Sequence, residues 1–313
     1  MNIILTFDNN YCQHAAVVMA SICHNNNGNI EFYVVSEYIS EDNLSKLTAT
    51  IESYGCSLHY VKLSFDIIDK LPIGKNTANT YVNKSTYYRL FIPYIVDIDK
   101  ALYLDCDIVV CGNINSFYNT QFPEDICIVG VEDELHNSSS SPIRLGYPIK
   151  YSYFNAGVLL LNLKLIRKLY SLNDLLECLE KNEKKIKYHD QDVLNILFHK
   201  HKMFVSLVYN LQDVYLIRNR DLPPSICNQH HLLNNPLIIH YSGPIKPWHI
   251  ECRNPYKSEY LKYLKKTPWR DFHPFNKFDK LPDIVFFRIK KIIKLILELF
   301  HLSNYSYINL KSI

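Results

Sequence analysis

No stretch of the 313 residues approaches 18 consecutive apolar side chains, so no segment is expected to cross a bilayer as a helix. The amino end, MNIILTFDNN, lacks the basic start and long apolar run of a secretory signal, and export by that route is not expected. No CxxC pair occurs. The nine cysteines (12, 23, 56, 106, 111, 127, 178, 227 and 252) are scattered and odd in number. That pattern argues against a disulfide framework or a zinc knuckle and fits a reducing cytosol. A strong charge imbalance is missing too: the formal net charge of +3 is too balanced to point to nucleic acid, and no such partner is expected. No internal repeat is visible.

What is present is an ordinary folded composition, 48% hydrophobic and 21% charged, which excludes a disordered chain. The first third alternates strand and helix patterns. Strands are expected at 3–7, 30–35 and 56–63, with helices at 11–24 and 40–54, the second opened by Ser40 and the acidic pair Glu41 and Asp42. Strands separated by helices of this length indicate βαβ units and a parallel sheet with right-handed crossovers. A helix is expected at 85–94 and strands at 101–104 and 126–131. A polar loop at 132–150 and an apolar strand at 153–163 come next, then a helix running to about 185, a helix at 190–199 and a late strand at 237–241. The expected partition is one domain, 1–273, and a tail, 274–313.

Asp105 and Asp107 are the most informative residues. They flank Cys106 directly after the apolar strand ALYL, and ligands of an open parallel sheet bind beyond the carboxyl ends of its strands. Two hard carboxylates on one divalent cation leave coordination positions open for diphosphate oxygens, as in Mg²⁺ and Mn²⁺ sites. Short acidic motifs are commonly just solvated, and the position after a buried strand is what gives this one weight. His240, in IIHYSGPIKPWH, follows another apolar strand. The common role of such a histidine is structural, but here it is expected at the sheet edge that carries the aspartates. An added imidazole shifts the preference from Mg²⁺ toward Mn²⁺, and Lys246 supplies a point charge for a phosphate.

The segments TFDNNY (6–11), STYYRL (85–90), ALYLDCDIVV (101–110), YFNAGVLLLNL (153–163), HDQDVLN (189–195) and HYSGPIKPWH (240–249) occur in order over about residues 1 to 250. Together they make the chain resemble glycosyltransferase family 8, in particular its bacterial lipopolysaccharide and lipooligosaccharide α-galactosyltransferases and glucosyltransferases. The resemblance implies a Rossmann-like nucleotide-diphospho-sugar transferase fold of the GT-A type. It implies a retaining transfer of a hexose, galactose ahead of glucose, from a UDP-sugar to an oligosaccharide or glycolipid acceptor. It also implies roles residue by residue. Thr6, Asp8, Asn10 and Gly243 would hold the uridine and ribose. Asp105, Asp107 and His240 would ligate Mn²⁺, with Mg²⁺ second, and Lys246 would meet the phosphate. Arg89, Asn155, Ala156, Asp190 and Gln191 would grip the transferred sugar, and Cys106 belongs to the donor-binding set through its place between the aspartates.

An amide is a poor nucleophile, so Gln191 beneath the anomeric carbon favours front-face attack over a covalent route; Asp190 is the second candidate nucleophile. Asp192 is expected to support a helix start. Residues 72–84 and 212–228 are expected over the donor and along the acceptor cleft, and Ser242 stands where a related sequence carries cysteine. Two rivals are a glycogenin-like self-glucosylating enzyme and a metal-dependent sugar nucleotidyltransferase. The second normally needs a glycine-rich basic loop after the first strand, and TFDNNYCQHA has neither glycine nor lysine.

The tail has its own pattern. In IVFFRIKKIIKLILELFHL (284–302), Lys290, Lys291, Lys294, Glu298 and His301 share an arc of roughly 100° on a helical projection, with apolar residues and Arg288 filling the rest. A wide apolar face opposite a basic one suits a helix lying on an anionic membrane surface, so the expected location is the cytoplasmic face of the inner membrane. A helix docked on the domain itself is the bland alternative.

Overall fold

Four of the five residues of β1 (Asn2–Thr6) are buried, as expected for a strand covered on both faces. The computed structural model describes residues 1–64, 84–133, 140–217 and 233–275. β1 pairs in parallel with β2 (Glu31–Ser36) and β4 (Lys100–Leu104), and β2 pairs in parallel with β3 (Ser57–Lys62). The helices α1 (Cys12–Asn25) and α2 (Glu41–Glu52) make the crossovers, and Ser40 caps α2 by accepting from the Asn43 amide. The βαβ reading of the first third therefore holds.

The main sheet has seven strands in the order β3-β2-β1-β4-β7-β6-β8, completed by β6 (Ile128–Glu132), β7 (Phe154–Asn162) and β8 (Lys202–Phe204). Alternate residues of each strand feed two cores. Ile3, Leu5, Leu102 and Leu104 pack on α1 and α2. Ile4, Ala101 and Tyr103 pack on the opposite layer, formed by α3 (Leu163–Leu169), α4 (Leu172–Asn182) and α5 (His189–Phe198). This is the two-sided α/β architecture that the sequence implied.

The sheet departs from the parallel expectation at one strand. β7 runs antiparallel to both β4 and β6. Its nine residues are buried along nearly their whole length, and a fully buried strand carries no alternation from which direction could be read. The reversal brings the start of β7 to the edge where β1 and β4 end: the Asp105 amide donates to the Gly157 carbonyl at 2.8 Å.

A second, three-stranded sheet was not foreseen. β5 (Ile108–Val110) leaves directly from Asp107, pairs antiparallel with β10 (Ile238–His240), and β10 pairs in parallel with β9 (Leu211–Gln212). His240 therefore belongs to this small sheet and not to the main one. Strands of two or three residues are too short to show a pattern. The helix expected to run to about 185 is broken at Ser171, which forms a capping box with Asp174 and starts α4. The stretch 85–94 is a 3₁₀ helix, Lys84–Phe91, followed by one turn, Ile92–Ile95, in place of a regular helix. Within the loop expected at 132–150, Ser140–Leu145 is helical and stops at Gly146, whose φ of +85° suits glycine.

Asn195, fully buried on α5, accepts from the Phe154 amide and donates to the Phe154 and Gln191 carbonyls, fixing α5 against the start of β7. The tail from 276 on, residues 72–83 of the loop expected at 72–84 and residues 218–228 of the expected acceptor segment lie outside the described residues.

Candidate functional site

Asp105 directly follows β4 and Asp107 directly precedes β5, so the chain turns through both within three residues. Each carboxylate has one oxygen tied to a cation. Asp105 Oδ1 accepts from Arg89 Nη2 at 2.8 Å and from the Tyr103 hydroxyl at 2.6 Å. Asp107 Oδ2 accepts from Lys246 Nζ at 2.6 Å. The other two oxygens face His240 Nε2, at 3.9 Å from Asp105 Oδ2 and 3.3 Å from Asp107 Oδ1. Asp107 Oδ1 is sealed from solvent. Burial alone would raise the Asp107 carboxyl, but Lys246 and His240 hold it well below the usual carboxylate range. Burial works to lower the His240 imidazole, and Asp107 beside it nevertheless raises it.

One ligand atom from each of Asp105, Asp107 and His240 lies within 4.8 Å of the others. Two anionic oxygens and an imidazole nitrogen, converging with a shielded carboxylate oxygen among them, form a donor set that fits a divalent cation with hard-ligand preference. Gly157 makes room for it. A Cβ there would strike His240 Cε1 and stand 2.8 Å from Asp105 Oδ2.

These three residues line a cleft of about 510 Å³ together with Asn155, Ala156, Asp190 and Gln191. Arg89 links the two groups, with Nη2 on Asp105, Nε 2.6 Å from Asp190 Oδ2 and Nη1 donating to the Ala156 carbonyl at 2.6 Å. Burial pushes the Asp190 carboxyl up to about 7, against the pull of Arg89. Gln191 Oε1 accepts from the Ala156 amide at 2.9 Å, and its Nε2 donates to Asp133 at 3.2 Å. Asn155 is engaged on both sides of its amide. Its oxygen accepts from the Gly157 amide and from Asn210, and its nitrogen lies 3.2–3.3 Å from Asp133, Gln191 and Gln212.

The residues expected on the nucleoside side lie at the end of β1 and in the loop after β10. The Thr6 hydroxyl is 3.1 Å from the Tyr103 hydroxyl and so extends the chain to Asp105. Asp8 caps the turn Asn9–Tyr11 by accepting from the Asn10 amide, which leaves Asn10 at the surface. Cys106 is buried beneath, its sulfur 4.0 Å from the Thr6 carbonyl. Gly243 donates its amide to Asp213 at 2.7 Å, and a Cβ at Gly243 would meet that same carboxylate. Tyr11, 41% exposed, presents a ring edge-on to His14 and Trp248.

Asp192 supports the helix start as expected. It is fully buried and accepts from the Lys187 and Tyr188 amides, the Tyr153 hydroxyl and both terminal nitrogens of Arg144. That clamp holds the chain into His189, whose φ of +50° is unusual for a residue with a side chain. Several site residues were not singled out from the sequence: Tyr103, Asp133, Gly157, Asn210 and Asp213. Asp133 had a usable signal, since it ends an apolar strand much as Asp105 does. The others act through contacts between segments far apart in the chain, which spacing does not reveal.

Comparison with known proteins adds three findings. The profile described as Glycosyl transferase family 8 matches residues 2–252. A lipopolysaccharide 1,2-glucosyltransferase of Escherichia coli is 28% identical over 283 residues, covering 88% of this chain and 81% of that protein. A lipopolysaccharide 1,3-galactosyltransferase of Salmonella typhimurium is 30% identical over 275 residues, covering 86% and 79%. Among solved structures, the galactosyltransferase LgtC in complex with donor and acceptor sugar analogues is similar with a TM-score of 0.76 at 26% identity. That likeness covers 86% of this chain and 96% of the other.

The close approach at Gly157 gives a test of the cleft. Gly157→Ala is expected to cost about 1–3 kcal/mol of stability through overpacking. It should also weaken divalent-cation uptake, followed by calorimetric titration, by at least about 10-fold. Wild-type cation binding in a folded G157A chain would show that the ligand geometry does not depend on this contact.

Proposed function

The chain belongs to glycosyltransferase family 8 and is a retaining hexosyltransferase, and from that premise we propose that its donor is a UDP-hexose and its acceptor a growing lipopolysaccharide or lipooligosaccharide. The observation that carries this reading is the convergence of Asp105, Asp107 and His240 on one point of a cleft that Gln191 also lines. Galactose stands ahead of glucose as the transferred sugar, and the related enzymes include one named for each.

Asp105, Asp107 and His240 would hold Mn²⁺, with Mg²⁺ the second choice, and the ion would supply positive charge against the departing diphosphate. Lys246, now 2.6 Å from Asp107, is placed to turn its ammonium toward a phosphate oxygen and share that task. Thr6, Asp8, Asn10 and Gly243 would hold uridine and ribose, with the Tyr11 ring a platform for the base. Cys106 keeps the turn between the two aspartates buried. Arg89, Ala156 and Asp190 would bind the transferred hexose, and Asn155 would act on it by holding Gln191.

Gln191 lines the same cleft as Asp105, Asp107 and His240. Its amide orientation is set, because Oε1 faces the Ala156 N–H and Nε2 faces the Asp133 carboxylate. An amide so placed stabilises charge at the anomeric carbon but does not form a durable bond to it. Attack would then come from the acceptor hydroxyl on the face the diphosphate leaves, with the hydroxyl proton passing to the departing phosphate oxygen. Asp190 remains the second candidate nucleophile, although its carboxylate is committed to Arg89.

Domain 1–273 would carry the chemistry and residues 274–313 would serve as a membrane address. No helix among the described residues is long and apolar enough to cross a membrane. The proposed address is therefore peripheral, on the anionic cytoplasmic face, through the basic amphipathic pattern at 284–302.

Three tests follow. Pure protein given UDP-galactose or UDP-glucose, Mn²⁺ and a truncated saccharide acceptor is expected to release UDP, to lose activity in chelator and to regain it best with Mn²⁺. Asp105→Asn and Asp107→Asn should each reduce the rate by more than about 100-fold, since a neutral amide is a far weaker ligand than a carboxylate. Full activity of either variant in metal-free buffer would remove the proposed site. The initial product of a UDP-α-hexose should show an α anomeric proton by NMR, and a β signal would overturn the front-face route. For the tail, sedimentation with anionic vesicles should be salt-sensitive and should fall when Lys290, Lys291 and Lys294 are all changed to Glu, each charge contributing about 1 kcal/mol near the surface. Equal sedimentation of both proteins would reject the address.

A further inference from the structure

We propose that Asn210 is a positioning residue for His240: it fixes the imidazole tautomer that leaves Nε2 unprotonated and aimed at Asp105 and Asp107. The inference rests on the metal reading given above and adds a residue that no part of that reading uses.

The argument is one of polarity. The Gly157 backbone N–H can only donate, so the Asn155 side-chain atom 2.9 Å from it must be the carbonyl oxygen. The opposite side of the Asn155 amide confirms the orientation, since it faces the Asp133 carboxylate, which only accepts when ionised. The Asn155 oxygen also lies 2.9 Å from the Asn210 side chain, which must therefore present its NH₂ there. The Asn210 oxygen is thereby turned the other way, 2.9 Å from His240 Nδ1. An oxygen acceptor at that distance requires a proton on Nδ1. In the neutral ring, Nε2 is then the lone pair, and it is the atom 3.3 Å from Asp107 Oδ1 and 3.9 Å from Asp105 Oδ2.

A lone pair facing two carboxylate oxygens is repulsive unless a cation lies among them. The opposite tautomer would instead donate from Nε2 to Asp107 and close the site on itself. Between the two neutral ring forms, Asn210 thus selects the one that needs a metal and rejects the one that replaces it. Placement is secured by register. Asn210 directly precedes β9, whose Leu211 and Gln212 pair with Ile239 and His240, and its own amide donates to the Leu207 carbonyl at 3.0 Å. Asn210, Asn155 and His240 are buried, at 0%, 6% and 4% exposure, so water does not compete for these bonds. A metal-bound histidine whose other ring nitrogen donates to a fixed acceptor is the usual arrangement. Loss of that acceptor typically weakens metal binding by about 10- to 100-fold.

The test uses the full chain and Mn²⁺, with the free ion followed by electron paramagnetic resonance in the presence of UDP. Asn210→Leu should raise the Mn²⁺ dissociation constant about 10- to 100-fold. Asn210→Asp keeps an acceptor toward Nδ1 but sets an oxygen against the Asn155 oxygen, so it should bind Mn²⁺ more weakly than wild type yet about 10-fold more tightly than Asn210→Leu, an order that a purely structural role for Asn210 would not produce. A wild-type chain that takes up Mn²⁺ while Asn210→Leu takes it up equally well overturns this inference and leaves the metal reading standing. A wild-type chain that takes up no Mn²⁺ overturns the metal reading and this inference with it. Ring ¹⁵N NMR of the metal-free wild-type chain, with His240 neutral, needs no variant to fold. A proton on Nδ1 is expected, and one on Nε2 overturns the assignment.

Discussion

Asp105 and Asp107 are one residue apart at the end of a buried strand, and their mutual repulsion has to be met by positive charge from somewhere. The protein meets half of it. Arg89 takes one oxygen of Asp105 and Lys246 takes one of Asp107, each at salt-bridge distance. The remaining two oxygens are turned toward a single imidazole edge. Arg89, its side chain only 11% exposed, is sustained there by Asp105 and Asp190 together, so the second carboxylate follows from the first. The electrostatic frame thus runs from the Asp105–Asp107 pair to Asp190 through one guanidinium. Removing Arg89 would leave the buried Asp190 without its cation, which costs more than the pair itself contributes.

The reversed strand β7 makes this frame geometrically available. A parallel β7 would bring its carboxyl end, Asn162, to this edge; the antiparallel course brings Asn155, Ala156 and Gly157 instead. Their backbone groups then do much of the placing. The Ala156 amide orients Gln191, its carbonyl holds Arg89, and the Gly157 amide orients Asn155. Gly157 also contributes by having no side chain, since His240 and Asp105 occupy the space a Cβ would need.

The sequence made the first βαβ units legible because Asn2–Thr6, Glu31–Ser36 and Ser57–Lys62 are separated by two helices, the second with a readable cap at Ser40. It also made the aspartate pair legible, through its place after ALYL. It could not show the direction of β7, whose burial on both faces erases alternation, or the small sheet that carries His240, whose strands span two or three residues. Asp105, Asp107, His240 and Lys246 were singled out by their own chemistry and place after apolar strands, whereas Arg89, Asp190 and Gln191 came only through the family resemblance. Asn210, Tyr103 and Asp213 came by neither route. A buried asparagine or tyrosine takes its meaning from what faces it, and those partners, Asn155 and His240 for Asn210, lie 55 and 30 residues away.

Asn155 shows how closely the two sides of the cleft are joined. Its oxygen serves the chain that ends at His240, and its nitrogen lies beside Gln191 and Asp133. The polarity of one amide therefore sets the ring form of His240 and matches the orientation that the Ala156 N–H gives Gln191. Flipping it would place NH₂ against the Gly157 N–H and oxygen against the Asp133 carboxylate, two repulsive contacts in a buried setting. The backbone of β7 forbids that flip, because a peptide N–H cannot change sign. A strand direction that is invisible in the sequence is in this way what sets the chemical polarity of both halves of the site.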